Sequence, residues 1–421
     1  MAAPELLFTG GRIWPGLGAR LVTAVAVAGG RIVAVDDDAV ASRGPATEVV
    51  ALDGRTLLPA FRDGHIHPLA GGTETLDCDL VDAASVAEVQ RRLVAFVASD
   101  RSGDGGWVLG YGYPPELLPG GVGRASTLDD AVADRPVALW SSDHHMVWVN
   151  TRALQVAGID AGTPDPPRGT IVRDADGAAV GTLLEEAEHL LTPHLPPRDE
   201  TKEARGLEEG LARMAAAGLV WGQDAWSSPE RLGSYTRVAD AGRLTADLDI
   251  AWKLEPDRWQ DQVGAFTDAR REVERGAERR RRDGVPGGRL TNRTVKVFVD
   301  GVIEGGTGAM LEPYCDHGDL QHAGAPRGIL NWERGDLLEA AAAMDAAGFE
   351  LHMHAIGDAA VRLALDTVAA VASRNGPRDR RPVVAHTHLV HPGDVPRFAE
   401  LGVIANLEPL WAQRNEIMTE L

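Results

Sequence analysis

An α/β fold of the (β/α)8 TIM-barrel kind is predicted by three features of the chain: an HxH pair closing an apolar strand at His65 and His67, two further HxH pairs closing later apolar strands, and a strand–helix alternation from about residue 201 onward. Catalytic groups of such barrels gather at the C-terminal ends of the strands. The sequence predicts the N-terminal part of a small β-sandwich over residues 1–55, barrel strand 1 with its HxH over 56–69, an inserted substrate-capping subdomain over 70–200, and barrel strands 2–7 over 201–421. No strand 8 is found.

Residues 5–52 hold short β-rich runs, LLFTGGRIW, AVAVAGGRIVAVD and TEVVALDG, broken by Gly and Asp as hairpins require. The first barrel strand then runs into DGHIHP. Between residues 70 and 200 lie a helical segment SVAEVQRRLVAFVAS, strands WVLGYG and VALWSS and a Pro-rich turn TPDPPRG, too much order for a plain loop. After them come a helix ETKEARGLEEGLARMAAAG and the strands GLVWGQDA, LDIAWKL, TVKVFVDG, LHMHAI, PVVAHT and GVIANLEP, with helices such as RGDLLEAAAAMDAAG between several of them. Counting HIH first gives seven barrel strands.

At 421 residues, with 44% hydrophobic and 25% charged content, the chain can bury a large core. A net charge of −20 argues against nucleic acid or an anionic membrane as partner. Cys78 and Cys315 are too few for a disulfide framework and predict reduced thiols in the cytoplasm. MAAPELLF lacks a basic segment followed by an apolar core, and no run approaches the length of a membrane span, so a cytoplasmic location is expected. Trp107, Tyr111, Tyr113, Trp140, Trp148 and Trp226 suit either an aromatic-lined pocket for a small-molecule substrate or packing inside the inserted subdomain.

In an extended strand, residues at i, i+2 and i+4 share a face, so Asp63, His65 and His67 point the same way. Two imidazoles on one rigid strand end can bind a divalent metal, preferably zinc or another borderline ion. The spacing recurs at His352 and His354 and again at His386 and His388. One such pair is most simply a hydrogen-bonded histidine at a strand end. Three together point to a metal site.

Lysine occurs only at positions 202, 253 and 296. In RTVKVFVDG, Lys296 shares a face with Phe298 and Asp300, and a barrel-facing lysine is an expensive buried charge unless paired or neutralised. Two readings stand side by side: an ion pair with Asp300 or Glu304, or carboxylation by carbon dioxide into an anionic ligand able to bridge two metals.

DGHIHP, KVFVDG, HAIGDAAV and the pair VVAHTH with LGVIANLEP resemble the amidohydrolase superfamily, and more closely its amidohydrolase-3 or YtcJ-like branch, which includes N-substituted formamide deformylases. WVLGYGY, SSDHHMVWVNTRAL, GTLLEEAEHLL and GLVWGQDAW extend the resemblance along the whole chain. It implies a distorted TIM barrel with a small β-sandwich built from both chain ends. It also implies a hydrolase that cleaves carbon–nitrogen bonds other than peptide bonds, in amide- or formamide-like small molecules, with metal-activated water. The resemblance makes His65 and His67 the strand-1 ligands, Lys296 the carboxylated strand-4 lysine, His354 the strand-5 ligand and His386 the strand-6 ligand of one or two divalent ions, with zinc the expected metal. His145 aligns with a histidine of the inserted region and is read either as a group that bonds substrate or the developing oxyanion, or as a surface residue beside His144. Glu186, Gln223 and Asp224 also match family positions without a visible role.

The departure from the family lies after GVIANLEP, where no residue can be assigned as the strand-8 Asp that binds metal and moves the proton. The expectation is an open barrel with little activity: a fragment, a truncated gene product, or a chain completed by another copy in a homo-oligomer. Deaminase or esterase chemistry on the same barrel and a non-catalytic remnant are the alternatives to amide hydrolysis.

Overall fold

A computed structural model describes residues 3–99, 106–303, 306–314 and 326–408. It divides into two compact units, one of residues 1–62 with 218–220 and one of residues 63–217 with 221–421.

The first unit is a small sheet of β1 (Leu6–Ile13), β2 (Val22–Ala28), β3 (Arg31–Val35), β4 (Glu48–Ala51) and β5 (Thr56–Leu57), ordered β3-β2-β1-β4 with β5 also beside β1. The tight β2–β3 turn falls on Gly29 and Gly30, both at positive φ, the left-handed pair that two-residue hairpins need. Alternation along the strands gives two small apolar clusters, Leu7 with Ala24, Ala26 and Ala39, and Ile13 with Val22, Val25 and Leu52.

Residues 61–406 carry two further sheets. One is built within the inserted region from β7 (Cys78–Asp79), β8 (Val108–Tyr113), β9 (Val137–Ser141), β10 (Met146–Val149), β11 (Gly169–Arg173) and β12 (Ala179–Glu185), in the order β11-β12-β10-β9-β8-β7. The helix Val86–Val97, capped by the Ser85 side chain accepting from Glu88 N–H, turns Val89 and Leu93 toward this sheet. Both faces of the sheet are apolar. One packs Leu80, Val108, Tyr113, Leu128 and Trp148, and the other packs Ala138, Trp140, Val147, Leu154 and Leu183. Five of the six aromatic residues singled out in the sequence are spent on this packing: Tyr113 and Trp148 are fully buried, Tyr111 stacks on Trp140, and Trp107 lies against the same cluster. Cys78 is buried in this core, and Cys315 lies outside the described residues.

The other sheet is a nearly closed barrel of β6 (Phe61–Ile66), β13 (Leu219–Ser227), β14 (Asp247–Lys253), β15 (Leu290–Phe298), β16 (Glu350–Ala355), β17 (Val383–His386) and β18 (Ile404–Asn406), hydrogen-bonded in that order. From β13 to β18 every pairing is parallel. The helices Glu200–Ala216, Leu232–Asp240, Trp259–Arg282, Arg334–Ala346, Asp358–Asn375 and Val395–Leu401 alternate with these strands, as crossovers between parallel strands require. Among the described residues, β6 is bonded to a strand on the β13 side only. The sheet nevertheless curls until its ends meet: a Cβ added to Gly64 in β6 would lie 2.8 Å from Nδ2 of Asn406 in β18.

Helix Pro68–Glu74 follows His67 directly and is locked against helix Glu200–Ala216 by glycines. A Cβ on Gly72 would sit 1.9 Å from the Gly206 carbonyl oxygen, and one on Gly210 would sit 2.1 Å from that of Pro68. Backbone packed on backbone leaves this end of β6 little freedom to move. Among the described residues no helix is long and apolar enough to cross a membrane.

Candidate metal centre and active site

Six of the residues singled out in the sequence reach one cavity of about 490 Å³ at the C-terminal ends of the barrel strands: His65, His67, His145, Lys296, His354 and His386. β6 delivers His65 at its end and His67 just beyond, β15 delivers Lys296, β16 His354 and β17 His386. The ring centroids of His65 and His386 are 4.7 Å apart, those of His354 and His386 4.5 Å, and those of His65 and His67 5.2 Å. Asp63, on the same strand face in the sequence reading, does not line the cavity and accepts the backbone N–H of His65 instead.

Burial controls the charge here. Desolvation, then the nearby Lys296 charge, holds the His65 imidazole far below its ordinary range, and the same two causes bring His386 down to about 2. Desolvation also holds His354 well below its ordinary value, with His386 next among the causes. At neutral pH these rings are neutral, each with a lone pair to offer. Lys296 is completely buried, and desolvation brings its ammonium down to about 7, only partly offset by the Glu408 carboxylate. Among the described residues no carboxylate lies within ion-pairing distance of Lys296. Asp300 accepts the N–H groups of Ala309, Ile356 and Gly357, and Glu304 lies outside the described residues.

A hydrogen bond fixes which nitrogen of the His354 ring carries the proton. His354 Nε2 is 3.0 Å from the Gly301 carbonyl oxygen, which can only accept, so Nε2 is protonated and the lone pair is on Nδ1. His67 Nδ1 and Asp224 Oδ1 face each other at 3.8 Å, both buried and without a hydrogen-bond partner, while Asp224 Oδ2 accepts the Tyr235 hydroxyl at 2.6 Å. Gln223 points away from the cavity, donating to Asp249 and accepting from Thr294.

His145 is drawn into the site from the inserted region. Its Nδ1 is 2.9 Å from Glu185 Oε2, and Glu185 Oε1 accepts the Thr307 hydroxyl at 2.7 Å. The His145 and His354 ring centroids lie 6.2 Å apart, so the surface reading of His145 does not hold, whereas His144 beside it is 38% exposed. Glu186 lines the cavity rim paired with Arg168. The hydrophobic wall comes from Trp226, Phe298, Ile329 and Trp332, so Trp226 is the member of the aromatic set that serves the cavity.

Two carboxylates were missed in the sequence. Glu185 sits at φ 51°, an uncommon backbone conformation for a non-glycine residue, and that twist rather than strand alternation selects it over Glu186. Glu408 accepts from His386 Nδ1 at 2.9 Å, and its other oxygen is 3.6 Å from His65 Nδ1. His65, His386 and Glu408 each offer a ligand atom within 4.8 Å of the other two. Neutral imidazoles and a partly neutral lysine form a donor set that suits zinc or a similar borderline divalent ion.

The fold and the cavity together define a (β/α) barrel whose polar groups converge at one mouth. Residues 48–420 match the model of the amidohydrolase family, and the chain belongs to that family, in its amidohydrolase-3 branch. It is 28% identical to the exoenzymes regulatory protein AepA of Pectobacterium carotovorum subsp. carotovorum, over 93% of this chain and 83% of the relative. With the N-substituted formamide deformylase of Arthrobacter pascens it shares 25% identity over 90% of this chain and 68% of the relative. A crystal structure described as an uncharacterized metal-dependent hydrolase from Pyrococcus horikoshii OT3 superposes with a TM-score of 0.67 at 21% identity, covering 96% of this chain and 75% of that one, and supports the fold.

Proposed function

We propose that the protein hydrolyses carbon–nitrogen bonds other than peptide bonds in small molecules, using a divalent cation held by His65, His67, His354, His386 and Lys296. The observation that carries this reading is the convergence of these five side chains, from four strands, on one cavity in which burial keeps the imidazoles neutral. The orphaned Nδ1 of His67 fits a site completed by an ion. Such a cation lowers the pKa of water toward neutrality and polarises a substrate carbonyl.

The chain's own residues supply the rest. Lys296, near 7, holds a substantial fraction of neutral amine at physiological pH. That amine can add carbon dioxide, forming a nitrogen–carbon bond and releasing one proton, to give an anionic carbamate suited to bridging two ions. Because Glu185 accepts Nδ1–H, His145 offers its Nε2 lone pair to the cavity, to bond a substrate polar atom or carry a proton to the leaving amine. Trp226 and Phe298 give the apolar part of a substrate a surface to lie on. The cavity has the size of small-molecule sites, and the formamide substrate named for one relative is the first class to test.

The test is metal analysis of purified protein combined with amine release from a panel of N-formyl and N-acyl amines, with esters and aminated heterocycles as comparators. Bound divalent metal and amine release are expected. Protein that binds no divalent metal would overturn the reading, and release of alcohol or ring ammonia in place of amine would move it to another reaction on the same barrel.

A further inference from the structure

The barrel sheet meets itself between β6 and β18, and the contacts across that seam are polar. Asn406 of β18 reaches Gly64 of β6, and Glu408 lies two residues beyond the end of that strand. Glu408 Oε2 accepts from His386 Nδ1 at 2.9 Å. Oε1 is buried, has no hydrogen-bond partner and lies 3.6 Å from His65 Nδ1. A third ring closes the group: His352, completely buried on β16, sets its Nε2 2.9 Å from His65 Nδ1. The Nδ1 atoms of His65 and His386 are therefore both turned toward groups of the protein.

We propose that Glu408 is the positioning carboxylate of this metal centre, fixing the tautomer and ring plane of His386 and facing His65 across the seam, so that β6 and β17 present their imidazoles in one geometry. An ionised carboxylate can only accept, so Nδ1 of His386 keeps its proton and the lone pair is left on Nε2. Carboxylates that hold the far nitrogen of a ligand histidine also raise its basicity, and losing one typically costs 10- to 100-fold in metal affinity. A short Nδ1–Oε2 hydrogen bond is the geometry of such a partner rather than of a ligand. The inference rests on the metal-site reading above and goes beyond it by assigning a residue outside the five ligands.

The experiment uses the full chain with Zn²⁺ or Co²⁺ alone, measuring affinity by competition with a chromophoric chelator. Glu408→Ala is expected to weaken binding by roughly 10- to 100-fold. Glu408→Gln, whose amide oxygen can still accept from Nδ1, should fall between Ala and wild type. Stoichiometry and the Co²⁺ absorption envelope should be unchanged in both, and the His386 Nδ1–H resonance should be lost in the Ala variant only. Affinity of Glu408→Ala within twofold of wild type would overturn the proposal. So would a changed Co²⁺ coordination number, which would make Glu408 a ligand. Should Glu408→Ala fail to fold by circular dichroism, the Gln variant carries the test, with wild-type affinity as the overturning result. Wild-type protein without metal would instead overturn the underlying reading, and the two failures are told apart by that control.

Discussion

The inserted sheet and the barrel mouth bury polar groups in opposite ways. In the inserted sheet Asn150 uses its whole side chain: Oδ1 accepts from Val137 and Ala153, and Nδ2 donates to Val132 and Arg135. Trp148 Nε1 finds the Arg124 carbonyl, Trp140 Nε1 finds Glu188, and Tyr113 Oη is the exception that lacks a partner. At the barrel mouth His67 Nδ1, Asp224 Oδ1, His352 Nδ1 and Glu408 Oε1 are all buried without hydrogen-bond partners. An unsatisfied buried polar atom costs about 1–3 kcal/mol. The four orphans gather where the proposed ion would bind, whereas Asn150 is satisfied completely. Consecutive positive φ angles at His386 and Thr387 mark the same place.

If that contrast is correct, substitutions in the two regions should separate metal binding from stability. The largest effect belongs to the ligand set. Replacing His354 with Ala should take the protein from stoichiometric metal to almost none, read by elemental analysis after gel filtration, while far-ultraviolet circular dichroism stays close to wild type. Lys296→Arg sharpens this, because a guanidinium cannot form a carbamate: binuclear binding should be lost, with at most one ion per chain remaining. Metal content equal to wild type in the Arg variant would remove the carbamate from the argument.

Next in size is His145→Ala, which should lower kcat by about 10²- to 10⁴-fold while metal content is unchanged, the loss expected for an acid–base group. A fall in metal content would mean that the ring supports the ion rather than the substrate. In the inserted sheet, Trp148→Ala should cost about 3–5 kcal/mol of stability through the cavity it leaves, with metal affinity of the folded protein unchanged. Coupled loss of metal in that variant would break the division between the two regions.

What was legible in the sequence follows the same physical line. His65, His354 and His386 are marked by strand alternation, a local rule that holds wherever the strand does, Lys296 by alternation in β15, and His67 by the same spacing carried one residue past β6. The strand-and-helix order from β13 to β18 was readable for the same reason. Glu408 was not, because its meeting with His65 depends on the sheet curling until β18 faces β6, and curl is not written in a two-residue period. Glu185 was missed because one left-handed residue at the end of β12 turns it, and not its neighbour, to His145. The aromatic set was ambiguous because a sheet with two covered faces needs large apolar side chains whether or not a ligand is near. Five of the six went to that need.

The smallest effect lies away from both regions, at Asp345, whose carboxylate binds Arg380 through two oxygens, Arg378 at 2.8 Å and the Asn375 amide. Burial alone would raise its pKa, but the hydrogen bonds from Arg380 and Asn375 and the charges of Arg378 and Arg380 outweigh burial and hold it below the ordinary value of 3.8. A carboxyl with a lowered folded-state pKa binds its proton more readily in the unfolded chain. Its contribution is therefore complete above the unfolded pKa and is lost as the pH falls through the lowered one. Asp345→Asn should then be destabilised by on the order of 1–3 kcal/mol at pH 7, the range for hydrogen bonds to a charged group. The gap from wild type should close as the pH drops below about 4. Unfolding by urea at pH 7, 5 and 3.5 measures it, with metal content as the parallel reading. A gap that stays constant with pH would assign Asp345 a packing role, and a loss of metal at pH 7 would tie this network to the barrel mouth after all.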